Sequence, residues 1–261
     1  MDLQLEGKIA LVLGAGGGLG AATALGLASE GVQVAVADID GDAAQRTADA
    51  ITSLGTRALA LRWDLADIDL IGAQLALVEK ALGPVDILVN NTGGPPPTPA
   101  SGQDPALWRR YFESMVLSVI AVTDRVLPGM RSHGWGRVIT STSSGVIAPI
   151  PNLGLSNSLR ASLVGWSKTL AREVGRDGIT ANIVVPGSIM TDRIRVLHED
   201  KARRESRSFD DVMRDSVDAI PASRHGRPDE FADVVTFLAS PRAGYVTGSV
   251  VRIDGGMIAN V

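Results

Sequence analysis

A glycine-rich loop that directly follows a short apolar run is the feature that most constrains the fold of this chain. The run KIALVLG ends at Gly14, which opens a G-x-x-x-G-x-G pattern with Gly18 and Gly20. A helix is predicted to begin at Leu19, inside this pattern. Glycines let the backbone approach a pyrophosphate, and the free N–H groups and dipole of a helix N-terminus favour its negative charge. The loop therefore predicts a nucleotide site between a strand and a helix.

An acidic residue at the end of the second apolar run narrows the choice of nucleotide. Asp38 lies 24 residues after Gly14, where a carboxylate can accept hydrogen bonds from both hydroxyls of an adenosine ribose. The same carboxylate repels a 2′-phosphate, and no Lys or Arg stands at positions 15–17 or 39 to offset it. We therefore predict that the chain binds NAD(H) in preference to NADP(H).

Short apolar runs alternate with amphipathic stretches of helix length, a pattern typical of parallel β-α-β units. Continuous apolarity suits strands that are buried on both faces. We predict a Rossmann-type, doubly wound α/β fold with a mainly seven-stranded parallel sheet and helices on both faces, formed by residues 1–261 as one domain. The predicted strands lie within 8–14, 32–38, 57–63, 85–91, 136–142, 179–185 and 249–256, and the predicted helices at about 19–30, 42–54, 68–82, 105–132, 157–174 and 229–239.

Two segments break this alternation. Residues 92–105 are rich in Pro and Gly and follow a predicted strand, where open sheets place their ligand loops. Residues from about 190 to 218 form a charged insertion, which we predict to be a substrate lid. A solvated helical surface would by itself explain the charges of this insertion. Its arginines are compatible with an acidic or acyl-carrier-linked substrate and equally with such a surface.

Composition excludes several classes of function. The net charge is −4 and the chain has only 4 Trp, 2 Tyr and 4 Phe, which argues against a nucleic-acid partner. The absence of Cys excludes a disulfide scaffold, a thiolate nucleophile and Cys-ligated metals, and we predict no metal site. Residues 9–29 carry no charge but hold six glycines and follow an acidic start, so neither a membrane span nor a signal peptide is expected. A cytoplasmic enzyme fits these features.

These residues resemble the short-chain dehydrogenase/reductase family over essentially the whole chain. NNTG at 90–93 is similar to the family's NNAG, and PGSIMT at 186–191 is similar to the P-G-x-x-x-T stretch that lines the nicotinamide amide. The C-terminal third is similar to the subgroup that contains 3-oxoacyl-carrier-protein reductases. The motifs together imply that the cofactor contacts Gly14, Gly18, Leu19, Gly20, Asp38, Asp64, Leu65, Asn91, Gly93, Arg160, Pro186, Gly187 and Thr191, with Asp64 near the adenine ring.

The resemblance also implies an Asn-Ser-Tyr-Lys catalytic tetrad, and here the sequence departs from the family. Alignment on VITSTSSG places the serine at Ser143. Ser156 and Arg160 then stand where Tyr and Lys are expected, and Met115 stands in place of Asn. In the family mechanism the Tyr is the acid/base, the Lys lowers its pKa and holds the nicotinamide ribose, and the Asn bridges to a water relay. An aliphatic hydroxyl is a poor acid and Arg does not release its proton, so any proton donor must be atypical.

Intact cofactor motifs beside a replaced tetrad leave three hypotheses. We favour an NAD(H)-dependent oxidoreductase of a carbonyl or alcohol, in which Ser143 polarises the substrate oxygen. The proton then comes from Ser156 through water, from a lid residue or from the substrate. The alternatives are a non-catalytic NAD-binding partner subunit of an active homologue, and a non-redox lyase or isomerase in which Arg160 binds an acidic group.

The other ionisable side chains and the assembly give weaker expectations. His198 could act as an acid over a substrate, although a surface position is the simpler expectation. Tyr111 and Tyr245 are predicted to be packing residues. In the resembled family the helix at 157–174 and the one before it form the dimer core of a tetramer, so a homotetramer is expected by analogy. A hetero-oligomer with an active homologue is the alternative assembly.

Overall fold

The computed structural model describes residues 2–260. Its strands form one sheet in the order β3-β2-β1-β4-β5-β6-β7, and every neighbouring pair is parallel. The predicted seven-stranded parallel sheet is thus confirmed. The strands are β1 (Ile9–Leu13), β2 (Gln33–Asp38), β3 (Ala58–Arg62), β4 (Ile87–Asn90), β5 (Gly136–Ser141), β6 (Ile179–Pro186) and β7 (Val250–Ile253).

Helices connect these strands and cover both faces of the sheet, which is the predicted doubly wound arrangement. No helix among residues 2–260 combines the length and the apolarity needed to cross a bilayer. The helices are α1 (Gly18–Ser29), α2 (Gly41–Ser53), α3 (Ile71–Ala81), α4 (Pro105–Phe112), α5 (Ser118–His133), α6 (Gly154–Val174), α7 (Asp192–Glu205), α8 (Phe209–Asp218) and α9 (Pro228–Ala239).

The central strand β1 shows why the apolar runs are continuous rather than alternating. Ala10 and Val12 belong to the hydrophobic cluster that α1, α2 and α9 form with one face of the sheet. Leu11 and Leu13 belong to the cluster that α3, α5 and α6 form with the other face. All four side chains are fully buried. Because successive side chains point to opposite faces, a strand covered on both sides needs an apolar residue at every position.

The helix predicted over 105–132 is divided in the structure. Between α4 and α5, the turn Glu113–Leu117 is wider than an α-helical turn and has π-helical geometry. Met115 and Val116 within this turn are buried. Short π-helical segments are frequent at functional sites. Two boundaries also differ from the prediction, because the turn Ile68–Leu70 ahead of α3 is 3₁₀-helical and α6 begins three residues before position 157.

The strand order creates a crevice at the carboxyl ends of β1 and β4. β1 lies between β2 and β4. The chain runs outward from β1 to β2 and β3 on one side and then crosses to β4 on the other side of β1. Loops that leave the two neighbouring strands β1 and β4 therefore diverge, and open α/β sheets bind ligands where this happens. The glycine loop follows β1 and the NNTG segment follows β4, so both border the crevice.

Candidate active site

The glycine loop is closed on the side of the protein and open above its centre. A Cβ atom on Gly20 would overlap the carbonyl oxygen of Gly14, and one on Gly14, whose φ is +59°, would overlap the carbonyl oxygen of Asn91. Gly17, in contrast, has no neighbouring atom within 4 Å of its Cβ position. A pyrophosphate site requires a loop that packs closely on the protein and leaves free space on the side facing the ligand.

The carboxylate of Asp38 is fixed at the rim of this loop. Its oxygens accept hydrogen bonds from the backbone N–H of Gly16 at 2.8 Å and from that of Asp40 at 3.0 Å. A carboxylate has about four acceptor sites, so two remain for other donors such as ribose hydroxyls. The predicted ribose acceptor therefore lies directly beside the predicted pyrophosphate cradle.

Asp64 and Leu65 lie at the same edge of the sheet, after β3. The N–H of Trp63 donates to the carbonyl oxygen of Asp38 at 2.7 Å, which aligns the end of β3 with the end of β2. Asp64 is exposed and accepts a hydrogen bond from the N–H of Ala66 at 2.9 Å. Leu65 is half-buried against the α3 side of the core. This arrangement suits contact with an adenine ring beyond the ribose.

Two contacts tie the remaining cofactor motifs to the glycine loop. The side-chain amide of Asn91 donates to the carbonyl oxygen of Gly14 at 3.1 Å, joining the loops that follow β4 and β1. The methyl group of Thr191 lies 3.5 Å from the Cβ position of Gly18, so the start of α7 stands over the glycine loop. Gly187, which follows Pro186 at the end of β6, packs so closely on Asp254 that a Cβ atom would meet its backbone at 2.6 Å. These residues fit an extended dinucleotide along one edge of the sheet.

Three of the four tetrad positions lie after β5 and on α6. Ser143 follows β5 and is half-buried, and its Oγ accepts a hydrogen bond from the N–H of Gly145 at 3.2 Å. This bond uses a lone pair of Ser143 and leaves the hydroxyl proton for donation. Ser156 and Arg160 are both buried and lie one turn apart on α6.

Met115 is enclosed in an apolar cluster. Its side chain is 1% exposed and belongs to the cluster that contains Leu155 and Leu159 of α6. Tyr111 packs against the same cluster, as predicted. An apolar side chain at the position of the family's Asn provides no polar group that could hold a water relay.

The guanidinium of Arg160 is held by backbone carbonyls. Its Nη2 donates to the carbonyl oxygens of Thr92 at 3.0 Å and Gly93 at 2.9 Å, and its Nη1 donates to that of Ser141 at 3.4 Å. Burial, and then the charge of Arg193, lowers the pKa of Arg160 from its ordinary value to about 10. The group therefore remains a cation at neutral pH and links α6 to the loop that follows β4.

Helices α7 and α8 cover a cavity of about 550 Å³ beside these residues. One wall is formed by the turn that follows Ser143 and by the start of the segment after β6, and the opposite wall by α7. Pro97 of the Pro-rich loop and the C-terminal residues 257–260 also line it. The lining includes Pro97, Ser144, Gly187, Ser188, Ile194, Leu197, His198, Lys201, Arg204 and Ile258.

His198 lies at the wall of this cavity, and its expected surface position is therefore wrong. Its ring is half-buried, 5.7 Å from the ring of His225, and its Nδ1 lies 2.9 Å from the sulfur of Met213 on α8. Burial, followed by the charges of His225 and Lys201, lowers the pKa of His198. His225 is held in turn by Ser188, whose Oγ lies 2.9 Å from the Nδ1 of His225.

Two further side chains differ from the sequence analysis. Arg193 of α7 was not singled out, yet its Nη2 donates to the carbonyl oxygen of Pro95 at 2.5 Å and bridges the lid to the Pro-rich loop. The sequence offers no signal that separates Arg193 from the other lid arginines except its position two residues after Thr191. Tyr245 does not pack within this chain, because its side chain is fully exposed.

Known proteins match both the sequence and this geometry. Residues 14–258 match the family model described as enoyl-(acyl carrier protein) reductase. The chain is 36% identical over 257 residues to the 3-oxoacyl-[acyl-carrier-protein] reductase FabG of Escherichia coli (strain K12), covering 98% of this chain and 99% of that protein.

Solved structures with bound cofactors share the fold. L-sorbose reductase from Gluconobacter frateurii, complexed with NADPH and L-sorbose, has a TM-score of 0.94 and 30% identity, with 100% of both chains covered. A 7α-hydroxysteroid dehydrogenase complexed with NADH and 7-oxo glycochenodeoxycholic acid has a TM-score of 0.88 and 32% identity, with 99% of this chain and 97% of that one covered. The chain therefore belongs to the short-chain dehydrogenase/reductase family, in the subgroup similar to the 3-oxoacyl-carrier-protein reductases.

Proposed function

We propose that this protein is an oxidoreductase that transfers a hydride between NAD(H) and a small carbonyl or alcohol substrate, with an atypical proton donor. The observation that carries the proposal is the placement of Asp38, whose carboxylate is fixed by the N–H of Gly16 at the rim of an open glycine loop. Relatives with solved structures bind either NADPH or NADH. For this chain, the negative charge of Asp38 disfavours a 2′-phosphate and favours NAD(H).

The cofactor is proposed to lie along the carboxyl edge of the sheet, from the end of β3 to the start of α7. The N–H groups around Gly18, Leu19 and Gly20 would bind its pyrophosphate, and Asp38 its adenosine ribose. When bound, the cofactor supplies or accepts the hydride. The further proposed contacts are Gly14, Asp64, Leu65, Asn91, Gly93, Arg160, Pro186, Gly187 and Thr191.

Ser143 is proposed to orient and polarise the substrate oxygen. Its Oγ already accepts a hydrogen bond from Gly145, so the hydroxyl proton is free to donate to a carbonyl oxygen. As the carbonyl is reduced, its oxygen gains negative charge, and a donor fixed before the reaction stabilises that charge without reorganisation. Ser144 and Ser188 in the wall of the adjacent cavity support a substrate position next to Ser143.

Reduction of a carbonyl to an alcohol also consumes one proton, for which the replaced tetrad provides no phenol. Ser156 could relay this proton only through water, because its side chain is short. His198 is one of four titratable residues of α7 at the cavity wall, with Asp200, Lys201 and Arg204. Its lowered pKa makes it neutral near pH 7. A neutral imidazole can accept the proton released when an alcohol is oxidised. If His198 is the proton carrier, its neutral form accepts a proton more readily than it donates one, which favours alcohol oxidation over carbonyl reduction.

The domain, lid and assembly are part of the same proposal. Residues 1–261 are proposed to form a single domain, in which residues 190–218 are the substrate lid, since α7 and α8 cover the cavity. We propose a cytoplasmic homotetramer by family analogy. The exposed side chains of Phe112 and Tyr245 are consistent with burial against further subunits. A hetero-oligomer with an active homologue would account for the enclosed Met115 and remains the alternative.

Titration of the purified protein with NADH and, separately, with NADPH tests the proposal. We expect micromolar binding of NADH, at least about tenfold tighter than that of NADPH, followed by NADH consumption or formation over a panel of carbonyls and alcohols. Binding without any turnover, together with co-purification of a second chain, would support the partner-subunit hypothesis instead. Binding of neither nucleotide would overturn the cofactor assignment.

A further inference from the structure

Two arginines without an acidic partner meet at the substrate end of the crevice. A Cβ atom on Gly94 would lie 3.4 Å from the Nη2 of Arg193 and 3.6 Å from the Nη2 of Arg160. The two guanidinium groups, one from α7 and one from α6, therefore border the same small volume, which is open because Gly94 has no side chain. The charge of Arg193 contributes, after burial, to the lowered pKa of Arg160, as expected for two neighbouring cations.

Within residues 2–260, neither arginine has a carboxylate among the groups that act on it, although the phenol of Tyr111 raises the pKa of Arg193. Arg160 is 8% exposed, and its hydrogen bonds all go to backbone carbonyls. Four other arginines of residues 190–218 differ from Arg193, because Arg195, Arg203, Arg207 and Arg214 form ion pairs with acidic side chains. Arg160 is buried whereas Arg193 is exposed, so the cost of an unpaired cation falls mainly on Arg160 unless an anion joins the pair.

The two arginines have complementary capacities for hydrogen bonding. A guanidinium carries five N–H donors in a planar fork. The Nη2 of Arg160 is committed to Thr92 and Gly93, so this residue contributes charge more than free donors. Arg193 has a single hydrogen bond, to Pro95, and keeps the remaining edge of its fork free. Arg193 can therefore bind an oxyanion in bidentate fashion, with the charge of Arg160 behind it.

We propose that Arg193 and Arg160 form a binding site for the carboxylate or phosphate group of an anionic substrate. This proposal rests on the proposed oxidoreductase function and deepens it by naming the substrate class: a small carbonyl or alcohol that carries an oxyanion. The pyrophosphate of the cofactor is the other possible source of an oxyanion. The pyrophosphate is assigned to the glycine loop after β1, and the contact expected for Arg160 from the family resemblance is the uncharged nicotinamide ribose, so the oxyanion beside Gly94 is assigned to the substrate.

Anion binding can be measured without turnover. Malonate, and malonamide as its uncharged analogue, would be titrated calorimetrically into the full chain in the presence of saturating NAD⁺. We expect malonate to bind and malonamide not to bind. Arg193→Gln should weaken malonate binding by about tenfold or more, the effect of losing a charge-assisted bidentate contact. Arg195→Gln on the same helix, whose side chain is 61% exposed, is the matched control and should leave binding within about twofold.

A second variant tests the volume rather than the charge. Gly94→Ala places a methyl group at ordinary contact distance from both guanidinium groups, so the fold is retained while the space for the oxyanion is filled. Malonate affinity should fall in this variant although both arginines remain. Equal malonate affinity in wild type and Arg193→Gln would overturn the site, as would equal binding of malonamide and malonate.

The source of the oxyanion is decided by NADH titrations of the same variants. If the site serves the substrate, Arg193→Gln leaves NADH affinity nearly unchanged, and malonate does not compete with NADH. Competition with NADH, together with an equal loss of NADH affinity in Arg193→Gln, would assign the pair to the cofactor and overturn the proposal. Failure of NADH to bind wild type would refute the oxidoreductase function. Malonate would then be titrated without nucleotide, and its binding to wild type and Arg193→Gln would test the anion site separately.

Discussion

The carboxylate of Asp38 accepts a hydrogen bond from the backbone N–H of Gly16 at 2.8 Å, so the end of β2 is joined directly to the glycine loop after β1. A Cβ atom on Gly16 would lie 2.8 Å from the carboxyl carbon of Asp38, which leaves no room for a side chain there. The same carboxylate thus shapes the loop and is the proposed acceptor for the adenosine ribose. On this proposal, cofactor preference and loop structure depend on one residue.

Asp38→Asn should shift the cofactor preference toward NADPH. The amide oxygen can keep the hydrogen bond from the N–H of Gly16, although its NH₂ group cannot accept the one from Asp40. The neutral amide no longer repels a 2′-phosphate. We expect the ratio of NADPH to NADH dissociation constants to fall by about tenfold or more, measured by calorimetry. Asp42→Asn, an exposed acid in the first turn of α2, is the control. An unchanged ratio in Asp38→Asn would mean that Asp38 does not contact the ribose.

Gly20→Ala should disrupt the glycine loop. The added methyl would overlap the carbonyl oxygen of Gly14, so α1 must move away from β1. We expect a loss of about 1–3 kcal/mol in the free energy of unfolding, as for other overpacked sites, and loss of NADH binding. Gly17→Ala meets no atom within 4 Å and should unfold like the wild type. Equal stability of the two variants would contradict this account of the loop.

Ser143→Ala should lower turnover by roughly 10²-fold, the scale for loss of a group that stabilises charge on the substrate oxygen. NADH affinity should not change, because Ser143 is not among the proposed cofactor contacts. Steady-state kinetics and NADH titration separate the two effects. Ser158→Ala, which removes a hydroxyl bonded only to the carbonyl of Gly154 on α6, is the control. An unaffected rate would exclude Ser143 from catalysis.

The pair Ser156→Tyr and Arg160→Lys restores the acid/base that the family resemblance implies. We expect the double variant to raise a weak ketone reductase activity by about tenfold or more over wild type, because a tuned phenol is a far better acid than an aliphatic hydroxyl. Each single variant should gain less. If the double variant gains nothing, addition of Met115→Asn tests whether the enclosed Met115 blocks the water relay, and no gain then means that the pocket limits the rate.

The stability of the lid should fall in mild acid because of His198. Burial lowers the pKa of His198 in the folded chain below its ordinary value of 6.5. Between these two pKa values, the unfolded chain therefore binds more protons than the folded chain. The stabilisation is complete above the ordinary pKa and is lost as the pH falls through the folded pKa. Hydrogen exchange of α7 at neutral and mildly acidic pH measures the effect.

His198→Gln should reduce this dependence of α7 on pH. The groups that face His198 are His225, Lys201 and Met213, and His225→Gln should reduce the dependence in part. His133→Gln, at the exposed end of α5, should have no effect. Exchange rates in α7 that respond to pH equally in wild type and His198→Gln would assign the effect to another group.

The sequence by itself determined the fold class, the glycine loop and the acidic residue at the end of β2, because each depends on local patterns. Apolar runs that are buried on both faces, and glycines where a Cβ atom would collide, can be recognised one segment at a time. The positions of Ser143, Ser156 and Arg160 also follow from alignment with family motifs. What these side chains contact does not follow from that alignment.

Only the tertiary structure decided the neighbours of residues far apart in the chain. It brings Arg160 of α6 and Arg193 of α7 to Gly94 after β4, encloses Met115 between helices and moves His198 from the surface to a cavity wall. These contacts depend on how α7 and the loop after β4 pack against the sheet. A charged helix has the same sequence pattern whether its arginines meet solvent, an acidic partner or another buried cation.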